Sequence, residues 1–278
     1  MQVPSTATGD FRSYIRYLTV GLLLASGHKP WVLDEPLKYD ASVALDVLGG
    51  TAAFTFMADG GRVCFTKLYN SRGKERVSRS IVSQAIAQNV PALIEATSSK
   101  RLDRFVLRRD GVCFNCEWTG LNSGIEQLRL PYCTQLAAVE VHKMNSCGFR
   151  LLAEGGDRAL NPEVGAWHAF NRDAGVVCTT GEPYRLRGTA NPLYCRIAYG
   201  EMSIEEALRD IFWLSLLSWP VPDRYIRLPI DVKLCDDELS VVAAQLDDDD
   251  EQSDEENEND TDPLLAPTPN QSASGGRT

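Results

Sequence analysis

Four carboxylates in four separate segments, Asp46, Glu75, Asp110 and Asp236, are the residues through which this chain of 278 amino acids can do chemistry, if folding brings them to one point. Asp46 lies inside the apolar run Ala41-Ser-Val-Ala-Leu-Asp-Val-Leu48, which reads as a buried strand. A lone charge there is costly to desolvate unless something compensates it, and a divalent cation would. Asp110 closes the strand-like run that starts at Arg104, and Gly111 supplies the turn that leaves its carboxylate at the strand tip. An aspartate at a strand end is also a common turn or cap residue. Hydrolysis of a phosphodiester needs an activated water and stabilised charge on the attacking and leaving oxygens, which two hard cations about 4 Å apart can supply. Mg2+ or Mn2+ prefers oxygen ligands and keeps several waters, so a few carboxylates plus a substrate phosphate complete the shell. The set points to a metal-dependent nuclease.

Other chemistries find less support. Cys113-Phe-Asn-Cys116 has a CxxC spacing but no second cysteine or histidine pair at finger-like distance, so these read as ordinary strand cysteines. There is no glycine-rich loop followed by lysine and serine or threonine, which argues against nucleotide hydrolysis by a P-loop. The three histidines, His28, His142 and His168, lack partners at ligand or triad spacing.

The elements that must position the carboxylates are legible in outline. Residues 11 to 26 read as a helix ended by Gly27 and Pro30, followed by strands near 42–48, 52–57 and 62–69, the last two joined by a hairpin turn from Ala58 to Arg62. Residues 76 to 96 read as a helix that Pro91 should kink or split. Glu75 then precedes that helix, where a plain N-terminal acid is the alternative to a ligand. Strands recur near 104–109, 137–143, 149–153, 175–180 and 192–198. Ser203-Ile-Glu-Glu206 forms a capping box that opens a helix running toward Trp219. A last helix is expected from about Asp236 to Leu246, with Asp236 and Asp237 at its start. Strands followed by alternating helices and strands imply an α/β fold, a mixed sheet flanked by helices as in ribonuclease H-like proteins.

The net charge of −10 resides in the tail, because residues 247–262 hold eleven acids and the last sixteen residues add only Arg277. The body, residues 1–246, has 27 bases and 27 acids, yet residues 62–109 hold eleven lysines and arginines against three acids. That local excess suits a channel for nucleic-acid phosphates, or simply a solvated face. Residues 247–278 are acidic and then rich in proline, serine and glycine, which implies a disordered acidic C-terminal tail. Eight cysteines scattered through apolar segments suit reduced thiols and a cytoplasmic protein. The apolar run near Leu18–Ala25 is too short to span a membrane, and the aromatic residues before it make it an amphipathic helix rather than a signal peptide.

In order along the chain, Gly27-His-Lys-Pro-Trp-Val-Leu33, Val43-Ala-Leu-Asp46, Arg108-Arg-Asp-Gly111, Ala138-Val-Glu-Val-His-Lys143, Gly188-Thr-Ala-Asn-Pro-Leu193 and Arg227-Leu-Pro-Ile-Asp-Val-Lys-Leu-Cys-Asp236 resemble the successive motifs of the PIWI domain of Argonaute proteins. The resemblance runs through most of residues 11–240. It implies a ribonuclease H-like fold and a tetrad of Asp46, Glu75, Asp110 and Asp236, with Glu75 brought in by a mobile loop. Mg2+ or Mn2+ would be held by Asp46, Asp110 and Asp236, the partners would be guide and target nucleic acid, DNA or RNA, and the reaction would be guide-directed endonucleolytic cleavage. Residues 1–40 would be a helix and linker left from the middle domain, 41–246 the PIWI-like domain and 247–278 the tail. The chain lacks the family's other guide-anchoring domains, which a separate chain could carry, and Ala25 stands where the family commonly has a lysine for the guide's 5′-phosphate. A non-catalytic module that binds nucleic acid or a partner, or an unguided ribonuclease H-like nuclease, are the alternatives.

Overall fold

The computed structural model describes residues 11–34, 37–73, 75–143, 150–181, 190–220 and 225–258, with side chains described as far as residue 245. The first helix, α1 (Phe11–Ala25), ends at Gly27, whose φ of 80° is in the left-handed region. Strands β1 (Ala41–Leu48) and β2 (Thr51–Ala58) are joined by Gly49 and Gly50, with φ of 58° and 84°. Such a two-residue hairpin needs positive φ at both positions, which glycine adopts without strain. A short 3-10 turn leads to β3 (Val63–Asn70), and α2 (Arg79–Ala96) follows, with the Ser78 hydroxyl accepting from the Ile81 amide. Next come β4 (Arg104–Asp110), α3 (Asn115–Gln127) and β5 (Gln135–His142). The small hairpin β6 (Ala153–Gly155) and β7 (Arg158–Leu160) precedes β8 (Trp167–Ala169), β9 (Ala174–Val177) and β10 (Leu193–Gly200). Helices α4 (Ile204–Ser215) and α5 (Ile230–Glu258) complete the described chain.

One mixed sheet of eight strands has the order β3-β2-β1-β4-β5-β10-β9-β8. β1, β4 and β5 run parallel, and the remaining neighbours pair antiparallel. Because side chains alternate across a strand, each parallel strand feeds two cores. Ala44, Val106, Val139 and Val141 pack with Ile211 of α4 and with Val232 and Cys235 of α5. Leu45, Phe105 and Leu107 pack with Val82, Ile86 and Leu93 of α2 and Leu121 of α3. The two helices on that second face lie close together. A Cβ at Gly120 or Gly124 would come within 2.7 Å of Val82 Cβ or 2.6 Å of Ile86 Cβ, so only glycine fits.

Several elements differ from the sequence reading. Pro91 lies within α2 without splitting it, since the fully buried Val90 and Leu93 hold the helix on both sides of the lost hydrogen bond, a cost of about 3 kcal/mol. α2 starts at Arg79, so Glu75 is a loop residue and not a first-turn acid. Cys113 and Cys116 are not strand cysteines: one lies in the turn after β4 and the other in the first turn of α3. That helix was unexpected because its two glycines and weak periodicity hide it. Its start is set from a distance by the buried Glu117, which accepts from the amides of Phe114 and Val77, each at 3.0 Å. In place of the strand expected over 149–153 there is the hairpin β6–β7, Phe149 lying outside the described residues. α4 stops at Ser215, short of Trp219.

The final helix begins six residues earlier than expected and continues through Glu258, so the first part of the acidic segment is helical. Asp236 and Asp237 are therefore in its second turn rather than at its cap. Elongating an existing helix costs far less than nucleating one, which lets an acidic run continue what the buried first turns start. Residues 259–278, and Gly188 and Thr189 of the glycine-threonine motif, lie outside the described residues. Among the described residues, those up to Ser240 and those from Val241 on fall into separate units. No helix among the described residues is long and apolar enough to cross a membrane.

Candidate metal centre

The strand register places the first two carboxylates. Leu45 pairs with Arg109 and Arg109 with Glu140 across the three parallel strands, so the next row holds Asp46, Asp110 and Val141. Alternation then divides Arg108-Arg109-Asp110 between the two faces of the sheet. Arg108 and Asp110 face the α4–α5 side, as do Asp46 and, two positions beyond Val141, Lys143. Arg109 faces α2 and α3.

The third carboxylate comes from α5, and its place depends on a buried pin one turn earlier. Asp231, fully buried, pairs with the buried Arg108 at 2.6 Å and accepts from the Ser42 hydroxyl at 2.9 Å. Cys235 Sγ lies 3.2 Å from Thr55 Oγ1, which packs that turn against β2. Asp236 thereby reaches the ends of β1 and β4. Asp46, Asp110 and Asp236 each present an oxygen within 4.8 Å of the others. Asp237, on the neighbouring helical position, instead pairs with Lys233.

Lys143 bridges two members of this cluster. Its Nζ is 2.6 Å from both Asp110 Oδ2 and Asp236 Oδ1. Burial opposes its charge, but the two carboxylates outweigh burial and raise its pKa above the ordinary lysine value. Asp236 is held below the usual carboxylate range because Lys143 and Lys233 outweigh its own partial burial. Asp46 behaves oppositely. Burial, reinforced by the charge of Asp110, pushes it up to about 6, while the Val47 amide at 2.8 Å and Lys143 only partly offset the rise. Burial beside a like charge at Asp46, against direct lysine contacts at Asp236, produces this asymmetry.

Arg109 ties the opposite face to the same centre. Its guanidinium donates to the Glu75 carbonyl at 2.6 Å, the Leu45 carbonyl at 3.3 Å and the Asp110 carbonyl, and it lies 3.5 Å from Asp46 Oδ1 and 3.4 Å from Glu117 Oε1. The Glu75 loop is thus fastened by its backbone, while the Glu75 side chain is exposed and stays outside the group formed by the three aspartates. Sequence reasoning passed over Lys143, Arg109 and Asp231. The signal for Lys143 was its period-two spacing from Val141, and for Asp231 a lone acid in an apolar stretch, the same sign that singled out Asp46.

Three carboxylates with hard oxygen donors at this spacing suit a divalent cation. No family model matches the chain. A curated relative, protein argonaute of Aquifex aeolicus, is 25% identical over 228 residues, covering 77% of this chain and 29% of the relative. Among solved structures, Clostridium butyricum Argonaute bound to a guide DNA and a 19-mer target DNA superposes with a TM-score of 0.68 at 19% identity, over 83% of this chain and 30% of that one. A. aeolicus Argonaute gives a TM-score of 0.57 at 20% identity, over 84% of this chain and 33% of that one. The chain therefore spans about a third of the length of the proteins it matches. The match and the eight-stranded sheet with its flanking helices are those of a PIWI-like, ribonuclease H-like fold.

Proposed function

We propose that this chain, a PIWI-like domain with the fold found in prokaryotic Argonautes, is a divalent-metal-dependent endonuclease that cuts one strand of a guide-paired nucleic acid. The observation that carries the reading is the convergence of Asp46, Asp110 and Asp236 from two strand ends and a helix. In this reading the three aspartates hold Mg2+ or Mn2+ and Glu75 is the fourth acid of the set. Bound there, such ions would supply an activated water and offset charge on the attacking and leaving oxygens. The chain's own part is positional. Arg109 holds the Glu75 loop beside Asp46 and Asp110, and the Arg108–Asp231 pair sets the height of Asp236.

The partners are a guide and a target strand, DNA or RNA; the Clostridium butyricum Argonaute structure contains both as DNA. Residues 41–246 form the nuclease domain, residues 1–40 are the helix and linker leading into it, residues 247–278 are the acidic tail, and a separate chain carrying guide-anchoring domains is a further partner. A second reading, a non-catalytic module that binds nucleic acid, is favoured by one observation: Lys143 already neutralises two of the three carboxylates. Cleavage decides between them. Single-turnover reactions with manganese and a guide–target duplex are expected to show cutting by the wild type and none above background by Asp46→Asn or Asp110→Asn, with melting temperatures nearly unchanged. Wild-type-like cutting by either variant removes that residue from the site, and no cutting by the wild type favours the binding module.

A further inference from the structure

Beside the loop that carries Glu75, the chain between β3 and α2 walls a cavity of about 940 Å³. Ser71, Arg72, Arg76, Ser78, Arg79 and Ser80 line it. Four features make it a place for an anion. α2 is 18 residues long, and its N-terminus opens here; Ser78 satisfies only the Ile81 amide, while the first-turn amides of Arg79 and Ser80 have no intrahelical acceptor. Arg72 and Arg76 are exposed and make no ion pair among the described residues. Arg79 is steadied by a 2.6 Å hydrogen bond to Ser123, which fixes a third guanidinium at the wall. Ser71 is 1% exposed, and its hydroxyl is buried with no hydrogen-bond partner among the described residues. A buried, unpartnered hydroxyl is unfavourable, and a ligand accepting its proton would relieve that cost.

We infer that this cavity is a phosphate subsite that holds a backbone phosphodiester of the bound nucleic acid, one loop away from the metal centre. The inference rests on the nucleic-acid reading above and adds to it a location and a recognising set. Serine hydroxyls, free helical amides and guanidinium groups recognise a phosphate's oxygens and charge and make no use of base identity, so the contact positions a strand without reading its sequence. The Glu75 carbonyl, held by Arg109, links the cavity wall to Asp46 and Asp110. A phosphate seated here would therefore set the strand's register relative to the aspartates.

The test measures binding of a fluorescein-labelled, 5′-hydroxyl DNA duplex by anisotropy over a range of NaCl, without divalent metal. Arg72→Gln/Arg76→Gln is expected to bind about tenfold more weakly at moderate salt, with the slope of log K against log salt reduced by about 1–2, and to do so alike for unrelated sequences. Ser71→Ala should weaken binding severalfold with the slope unchanged, because it removes a hydrogen bond and no charge. Lys100→Gln/Arg129→Gln removes the same charge at the opposite ends of the parallel strands and should bind like the wild type. If the Arg72/Arg76 variant matches that control in affinity and slope, the subsite is refuted while nucleic-acid binding stands. A wild type that binds no duplex refutes the nucleic-acid reading itself. Inorganic phosphate that binds the wild type but not the Arg72/Arg76 variant, and that leaves duplex binding unchanged beyond the effect of chloride at equal ionic strength, would identify the occupant as a free anion and overturn the assignment to a strand.

Discussion

Lys143 is the residue on which the chemistry of the aspartate cluster turns. Its ammonium touches Asp110 and Asp236 at 2.6 Å each, so a divalent cation and this side chain compete for the same two carboxylates. Lys143→Met should raise manganese affinity several-fold. In EDTA the same variant should be less stable, by about 1 kcal/mol, the modest size reflecting a side chain that is 35% exposed to water. Titration calorimetry with manganese and thermal melts with and without metal read both effects. Weaker manganese binding by the variant would mean that the lysine supports the ion rather than opposing it.

Two pairs govern how elements meet. Arg108 and Asp231 join β4 to the first turn of α5 with both side chains sealed from water. Breaking such a pair strands a buried charge, so Asp231→Ala should cost about 3–5 kcal/mol in urea denaturation, whereas Arg108→Met/Asp231→Leu, which removes both charges, should cost much less. Equal losses in the two would show that the pair is no more than packing. Glu140 joins β5 to β10 through Arg196 and accepts from the Cys113 amide at 3.0 Å. Burial alone would raise its pKa, but the hydrogen bonds from His142, Arg196 and Cys113 lower it to about 2. A carboxyl whose folded pKa lies below its unfolded one stabilises the fold fully above the unfolded value, near 4.3, and loses that contribution as pH falls through about 2. Stability measured between pH 5 and 2 should therefore drop more steeply in the wild type than in Glu140→Gln. Parallel curves would rule out Glu140 as a source of the acid sensitivity.

At the scale of the whole chain, charge is segregated. The body balances 27 bases with 27 acids and has a local excess of eight positive charges over 62–109, while residues 247–278 carry the net −10. Among the residues of α5 whose side chains are described, the last buried one is Leu239, before the acidic run begins. Deleting residues 247–278 should leave the melting temperature almost unchanged and strengthen duplex binding, more at low salt than at high salt, because the removed field is screened within about 8–10 Å. A large fall in melting temperature would mean that the acidic segment packs on the body.

Local pattern was enough to reveal β1, β4, β10 and the capping box of α4, because strand alternation and caps are properties of neighbouring residues. It also singled out Asp46 and Asp110, since a carboxylate in an apolar run or at a strand tip is conspicuous wherever it occurs, whereas Asp236 stood out only through the resemblance to the PIWI motif. What those residues meet was not in the pattern. α3 is started by Glu117 through an amide forty residues away, and α5 begins at Ile230 because Asp231 finds Arg108 on a strand 123 residues earlier. Lys143 became a member of the aspartate cluster, and the Glu75 side chain did not, only when the register of three parallel strands and the placement of α5 were set. A sequence states which groups are costly to bury; only the tertiary structure decides which opposite charge is within reach, because Coulomb and hydrogen-bond energies depend on distances that close through long loops.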